Sequence, residues 1–186
     1  MTTSTTTQTS TPTAQATPAT ASATASATAS ATAGGAEHRH GPRLPWAQLA
    51  PDVYKAMIAL DAAAKQGLDP TLVKLVKIRA SQLNHCAFCI DMHIKDARKA
   101  GETEQRIYLL NAWEEATAFY SPKEQAALAL TEAITLLTEG FVPDAVYDRA
   151  AAHFDATELA HLIALITTIN AWNRFGVSTR MAPGRA

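Results

Sequence analysis

The chain has 186 residues, with 16 lysines and arginines against 17 aspartates and glutamates, a net charge of −1 and a pI near 6.6. Charges of both signs are interspersed, so the sequence carries no electrostatic footprint for nucleic acid or an anionic membrane. No apolar run approaches the roughly 20 residues of a bilayer span, and two cysteines three residues apart, with no others, suit a reducing cytoplasm.

Residues 1–36 are almost wholly Thr, Ala and Ser, with no charged side chain before Glu37. Such a segment lacks the apolar surface that offsets ordering entropy, which predicts a disordered tail. It has neither the positive n-region nor the apolar h-region of a secretory signal. Glu37 to Pro45, with Gly41-Pro42, reads as a linker, so residues 1–44 form tail and linker. Residues 45–182, about 140, suffice for one domain with one core.

That domain reads as helices throughout. Pro51 to Lys65 repeats apolar residues at Val53, Met57, Leu60 and Ala64 and is closed by Gly67. Asp69-Pro70 starts the next helix, with Asp as N-cap and Pro at the first position. Leu72, Leu75, Val76 and either Arg79 or Leu83 make its buried face, and Lys74 and Lys77 fall on a solvated side. After Gly101 a short helix from about Thr103 carries Ile107 and Leu110. Trp113, Phe119 and Tyr120 lie in a less regular connection, as core or interface. Ser121-Pro122-Lys123-Glu124 is a capping box opening a helix to about Leu137. Pro143 starts another, through about Ala152. Asp155-Ala156-Thr157-Glu158 caps a last helix, apolar nearly all round from Leu159 to Asn170, hence buried, including between subunits. His153 and His161 read as packing or surface residues.

The chemistry concentrates between these elements, in Asn84-His85-Cys86-Ala87-Phe88-Cys89-Ile90-Asp91-Met92-His93. On a helix of about 100° per residue, Cys86, Cys89 and His93 fall on one face. Cys86 and Cys89 are neighbours at i,i+3, and Cys89 and His93 at i,i+4. A thiol reacts as thiolate, and a helix N-terminus, a nearby cation or a Cys-x-x-Cys pair lowers its pKa. Asn84 reads as the N-cap, placing Cys86 in the first turn. His93 can accept a thiol proton and return it to a leaving group. The helix end favours Cys86 as first attacker and the histidine favours Cys89. Proton transfer needs contact, so Cys89 is the expected nucleophile and Cys86 the resolving thiol that converts a sulfenic acid to a disulfide. Two rival readings stand beside this one. The cysteines can be inert core residues, or Cys86, Cys89 and His93 can supply three zinc ligands, although no second CxxC or HxxxH completes a closed metal site.

The run from Leu75 to His93, followed by Ala97-Arg98-Lys99-Ala100-Gly101-Glu102, resembles the core of the alkylhydroperoxidase AhpD-like, or carboxymuconolactone decarboxylase, superfamily. The resemblance extends through Trp113 and Ser121-Pro122 to Asn170-Ala171-Trp172-Asn173-Arg174, covering roughly residues 45 to 180. It implies an all-α AhpD-like helical bundle with the CxxC at the N-terminus of a central helix. It also implies a thiol peroxidase site with Cys89 as attacker, Cys86 as resolving thiol and His93 in proton transfer. No cofactor is implied; a hydroperoxide is the substrate and an external dithiol or thioredoxin-like protein the reductant. The same resemblance implies a homo-oligomer, trimer or hexamer, and suggests that Asn170, Trp172 and Asn173 line the site.

Two positions depart from the family pattern. Lys74 stands where members usually place a glutamate of the proton relay; lysine stabilises a thiolate by charge but accepts no proton. His85 stands where a glycine often precedes the first cysteine. The expected function is therefore a cytoplasmic thiol-dependent peroxidase of organic hydroperoxides. The alternatives are a decarboxylase-like lyase or isomerase acting on a small acid or lactone through His93, and a non-catalytic redox-sensing oligomer.

Overall fold

The computed structural model describes residues 41–184; the expected tail lies, as far as His40, outside the described residues. Among the described residues the regular structure is helical: α1 (Trp46–Leu49), α2 (Pro51–Ala64), α3 (Pro70–Leu83), α4 (Ala87–Lys99), α5 (Glu104–Leu109), α6 (Pro122–Thr135), α7 (Asp144–Ala151) and α8 (Ala156–Thr179). Short 3₁₀ turns at Leu110–Ala112 and Thr117–Phe119 form the irregular connection before α6.

Local chemistry sets most boundaries. Asp69 accepts from the backbone N–H groups of Thr71 and Leu72 while Pro70 occupies the first helical position, where its missing N–H costs nothing. Ser121 with Glu124, and Asp155 with Glu158, form complete capping boxes at the starts of α6 and α8.

Helix α3 organises the packing, lying against α4, α6 and α8. Its apolar residues serve two cores. Leu72, Val73 and Val76 join Leu130, Phe154, Leu162 and Ile166 on one side. Leu75 and Ile78 join Ala97, Ile107, Leu110, Trp113, Tyr120 and Leu128 on the other. A helix used on both sides cannot leave every polar residue in water, and Lys77 is buried at 8% exposure. This corrects the expectation that Lys77 lies on a solvated side.

Helix α2 differs from expectation too. Of the stripe Val53, Met57, Leu60 and Ala64 only Ala64 is buried, and Val53 and Leu60 are each 47% exposed. The helix is rich in alanine and its larger apolar residues are spread around it, so its periodicity does not decide which face meets α8. Aromatic contacts do. Tyr54 packs edge-on against Trp46 and Trp172, and Trp46 stacks on Phe175 with ring centroids 4.0 Å apart. Arg43 extends this attachment, its backbone N–H donating to Thr179 O at 2.8 Å. The end of α8 is thus held by the segment that precedes α2. No helix among the described residues is long and apolar enough to cross a membrane.

Candidate active site

The corner between α3 and α4 presents the two cysteines. Asn84 is the C-cap of α3, not the N-cap of α4, and the N-cap is Cys86 itself. The backbone explains the shift. His85 N–H donates to Gln82 O and Cys86 N–H to Ser81 O, the paired bonds of a Schellman motif. That motif needs a left-handed residue, and His85 fills it with φ 54°. The position favours glycine because only glycine adopts it without strain. Cys86 consequently finishes one helix and starts the next. Cys89 falls in the first turn of α4, where the helix dipole favours an anion.

Cys86 and Cys89 are joined in a disulfide with Cα atoms 5.3 Å apart. Both are nearly buried, at 2% and 3% exposure, and His93, one turn beyond Cys89, is buried at 9%. Helix α8 closes over the pair. At Gly176, a Cβ would stand 2.8 Å from Cys86 Sγ and 3.4 Å from Cys89 Sγ. No other residue type lets the α8 backbone approach so closely.

Polar side chains fix this arrangement from beneath. Asn84 Nδ2 donates to Ala80 O, to Asn170 Oδ1 at 2.8 Å and to Asn173 Oδ1 at 3.0 Å. Asn173 Nδ2 donates to Ser81 Oγ, which donates to Lys77 O. Asn170 Nδ2 donates to Thr135 Oγ1 and Ile166 O. Fully satisfied buried networks specify one packing of their elements. Asn170 and Asn173 therefore lock the helix corner that carries Cys86, while Trp172 belongs to the aromatic cluster with Trp46 and Tyr54.

Lys77 and Asp61 complete the electrostatics. Lys77 Nζ lies 2.5 Å from Asp61 Oδ1, and exposed Lys65 reaches the other carboxylate oxygen at 3.3 Å. Burial pushes the Asp61 carboxyl up, but the hydrogen bond and charge of Lys77 outweigh it and hold the group below its ordinary value. Burial, reinforced by the Lys77 charge, lowers His93 to about 4, against weaker opposing pulls from Asp96 and Asp61. Near neutral pH the imidazole is uncharged.

Cys86, Cys89 and His93, expected from the sequence, thus occupy one end of α4. Lys74 is half-buried on α3. Asp61, Lys77 and Gly176 lack a local signal: each reaches the site from another helix. Among the described residues no group of three or more His, Cys, Asp or Glu side chains is arranged to hold a metal ion.

The helical bundle, with a Cys-x-x-Cys pair at the N-terminus of α4 and a histidine one turn on, has the AhpD-like fold. The family model for carboxymuconolactone decarboxylases matches residues 51–133. YdfG from Bacillus subtilis (strain 168), an uncharacterized protein, is 48% identical over 137 residues, 73% of this chain and 92% of that one. A crystal structure from Agrobacterium tumefaciens, of a protein of unknown function provisionally assigned to AhpD antioxidant defence, superposes with a TM-score of 0.76. It is 35% identical, covering 78% of this chain and 100% of that one. The debrominase Bmp8 shares the fold, with a TM-score of 0.65 at 18% identity over 74% of each chain. The chain belongs to the carboxymuconolactone decarboxylase family and has its AhpD-like fold.

Proposed function

We propose that the protein is a thiol-dependent peroxidase that reduces organic hydroperoxides through a Cys86/Cys89 dithiol–disulfide cycle. The observation that carries this reading is the pair within bonding reach at the N-terminus of α4, with His93 one turn along the same helix. The likeness to the Agrobacterium protein assigned to antioxidant defence supports it.

In the reduced protein the Cys89 thiol gives its proton to His93, and the thiolate attacks the outer peroxide oxygen. The O–O bond breaks, Cys89 becomes a sulfenic acid, and the departing alkoxide takes a proton to leave as alcohol. An imidazolium at this position is disfavoured by burial and by Lys77. His93 is therefore a weak base that takes the thiol proton only as attack proceeds and passes it on to the departing alkoxide. Cys86 then attacks the sulfenic sulfur, releasing water and forming the disulfide. An external dithiol, a small molecule or a thioredoxin-like protein, supplies two electrons and two protons to reopen it. No cofactor enters, and the cycle suits a cytoplasm that maintains dithiols.

The partner we propose beyond substrate and reductant is a second copy of this chain. Support comes from the apolar residues that α2 leaves in water, Val53, Ile58 and Leu60, each 47–49% exposed. A redox-sensing role is the second reading, favoured by the burial of both sulfurs, since a sensor needs one oxidation and not repeated access. Turnover separates the two. With excess dithiol, the wild type should consume many equivalents of an organic hydroperoxide and Cys89→Ser none. Consumption that stops at one equivalent supports the sensor, and unchanged turnover in Cys89→Ser overturns the peroxidase mechanism.

A further inference from the structure

We propose that Gly176 is the positioning residue that sets the balance between the disulfide and dithiol forms of Cys86 and Cys89. The proposal rests on the reversible cysteine pair of the preceding reading, but not on peroxide as its oxidant. Gly176 is on α8, some ninety residues along the chain from the sulfurs it touches.

A Cβ at Gly176 would lie 2.8 Å from Cys86 Sγ and 3.4 Å from Cys89 Sγ, and the first distance is closer than real Cβ contacts allow. Something must move, and the surroundings decide what. The Gly176 carbonyl accepts the Met181 N–H at 2.9 Å and also that of Arg180, the bonds that end α8. Arg43 holds Thr179 three residues on. The α8 backbone is thereby pinned.

The Cys86 backbone is pinned as well. Its N–H donates to Ser81 O at 3.0 Å, and its carbonyl accepts from Ile90 N–H at 2.9 Å. What remains free is rotation of the Cys86 side chain, and only when its sulfur is unbonded. In the dithiol form Sγ can swing to another rotamer. In the disulfide it is tethered to Cys89, which the same Cβ also meets. A side chain at residue 176 therefore acts against one redox form and spares the other.

The equilibrium concerned is protein disulfide plus two glutathione thiols giving protein dithiol plus glutathione disulfide, with two electrons and two protons transferred. Gly176→Ala is expected to shift it at least tenfold toward the dithiol, or about 30 mV in a two-electron couple. Helix propensity predicts no loss in the reduced protein, because alanine inside a helix is favoured over glycine.

The test equilibrates the full chain in glutathione buffers of stepped ratio, quenches by alkylation and counts thiols by mass spectrometry. Wild type, Gly176→Ala and the solvent-facing control Val177→Ala are compared, and melting temperatures are taken for oxidised and reduced forms. Expected is a tenfold shift for Gly176→Ala only, with its melting temperature lowered in the oxidised form alone. In a Cys86→Ala background the cost of Gly176→Ala should vanish. A shift below twofold, a shift toward the disulfide, or equal losses in both redox forms would overturn the proposal. Absence of peroxide turnover with a normal glutathione shift would sink the peroxidase reading and leave Gly176 in its role.

Discussion

Lys77 Nζ meets Asp61 Oδ1 at 2.5 Å inside the bundle, and the cation so placed is the second cause, after burial, of an uncharged His93. The consequence for stability has a definite sign. His93 has a folded pKa of about 4 against an ordinary 6.5, so the unfolded chain binds its proton first. Stability is lost as pH falls from about 6.5 toward 4. The loss approaches about 3 kcal/mol at about 1.4 kcal/mol per unit. Denaturant melts between pH 7 and 4 should show this slope, and His93→Gln should flatten it; a slope unchanged by the substitution refutes the assignment. Asp61, whose pKa is lowered, adds its own loss only at lower pH, as its carboxylate is protonated.

Lys77→Met removes one partner of a nearly buried pair. Asp61 is left with Lys65, whose side chain is 48% exposed. Breaking such a pair costs about 3 kcal/mol, readable as a lower denaturation midpoint. The His93 pKa should rise, because a repelling charge has gone, and NMR titration of the ring checks the direction. Fitting Met without loss of stability would show that the pair contributes little.

His85→Gly relieves a left-handed residue at the helix corner. Glycine adopts φ 54° without strain but loses more freedom on folding. The expected net gain is about 0.5 kcal/mol, measured by chemical denaturation. A loss would mean that the His85 side chain has a role of its own.

Asn84→Ala strips the donor shared by Asn170 Oδ1 and Asn173 Oδ1. Asn170 Oδ1 keeps its bond from Arg174 at 3.1 Å, but Asn173 Oδ1 loses its donor, and a buried acceptor left short of a partner costs about 2 kcal/mol. Because Cys86 follows two residues later, the rate of disulfide closure after oxidation of Cys89 should fall as well. Equal stability in the variant would argue that water replaces the amide.

Leu60→Glu places a charge on the exposed apolar face of α2 that also carries Val53. If copies of the chain associate there, light scattering should show dissociation while the helical circular dichroism spectrum is kept. An oligomer that survives the substitution has its contact elsewhere.

These results also show which parts of the molecule could be read from the chain alone. Ser121 with Glu124, and Asp155 with Glu158, are neighbours in sequence, and their capping boxes form where expected because the interaction closes within one turn. Cys86, Cys89 and His93 fall along one element for the same reason, since spacings of three and four residues are local to a helix. Asn84 suits the start of α4 as well as the end of α3, and only the Schellman bonds at His85 and Cys86 assign it to the end of α3. The charge of Lys77 predicts a place in water; its partner Asp61 sits sixteen residues earlier and only the packing of α2 near α3 brings them together. Gly176 has no sequence signal at all, since its meaning lies in the sulfur it faces across the bundle.

Arg43 joins Thr179, and Gly184 O accepts a hydrogen bond from Lys95 on α4. The first and last described segments are thus tied to the two helices, α8 and α4, that hold the cysteine pair. Affinity handles, fluorophores or fusion partners spliced near either position will load the helix ends that pack on the cysteine pair, so a label for kinetic work belongs instead in the loop between α6 and α7, where Leu137 and Phe141 already face solvent.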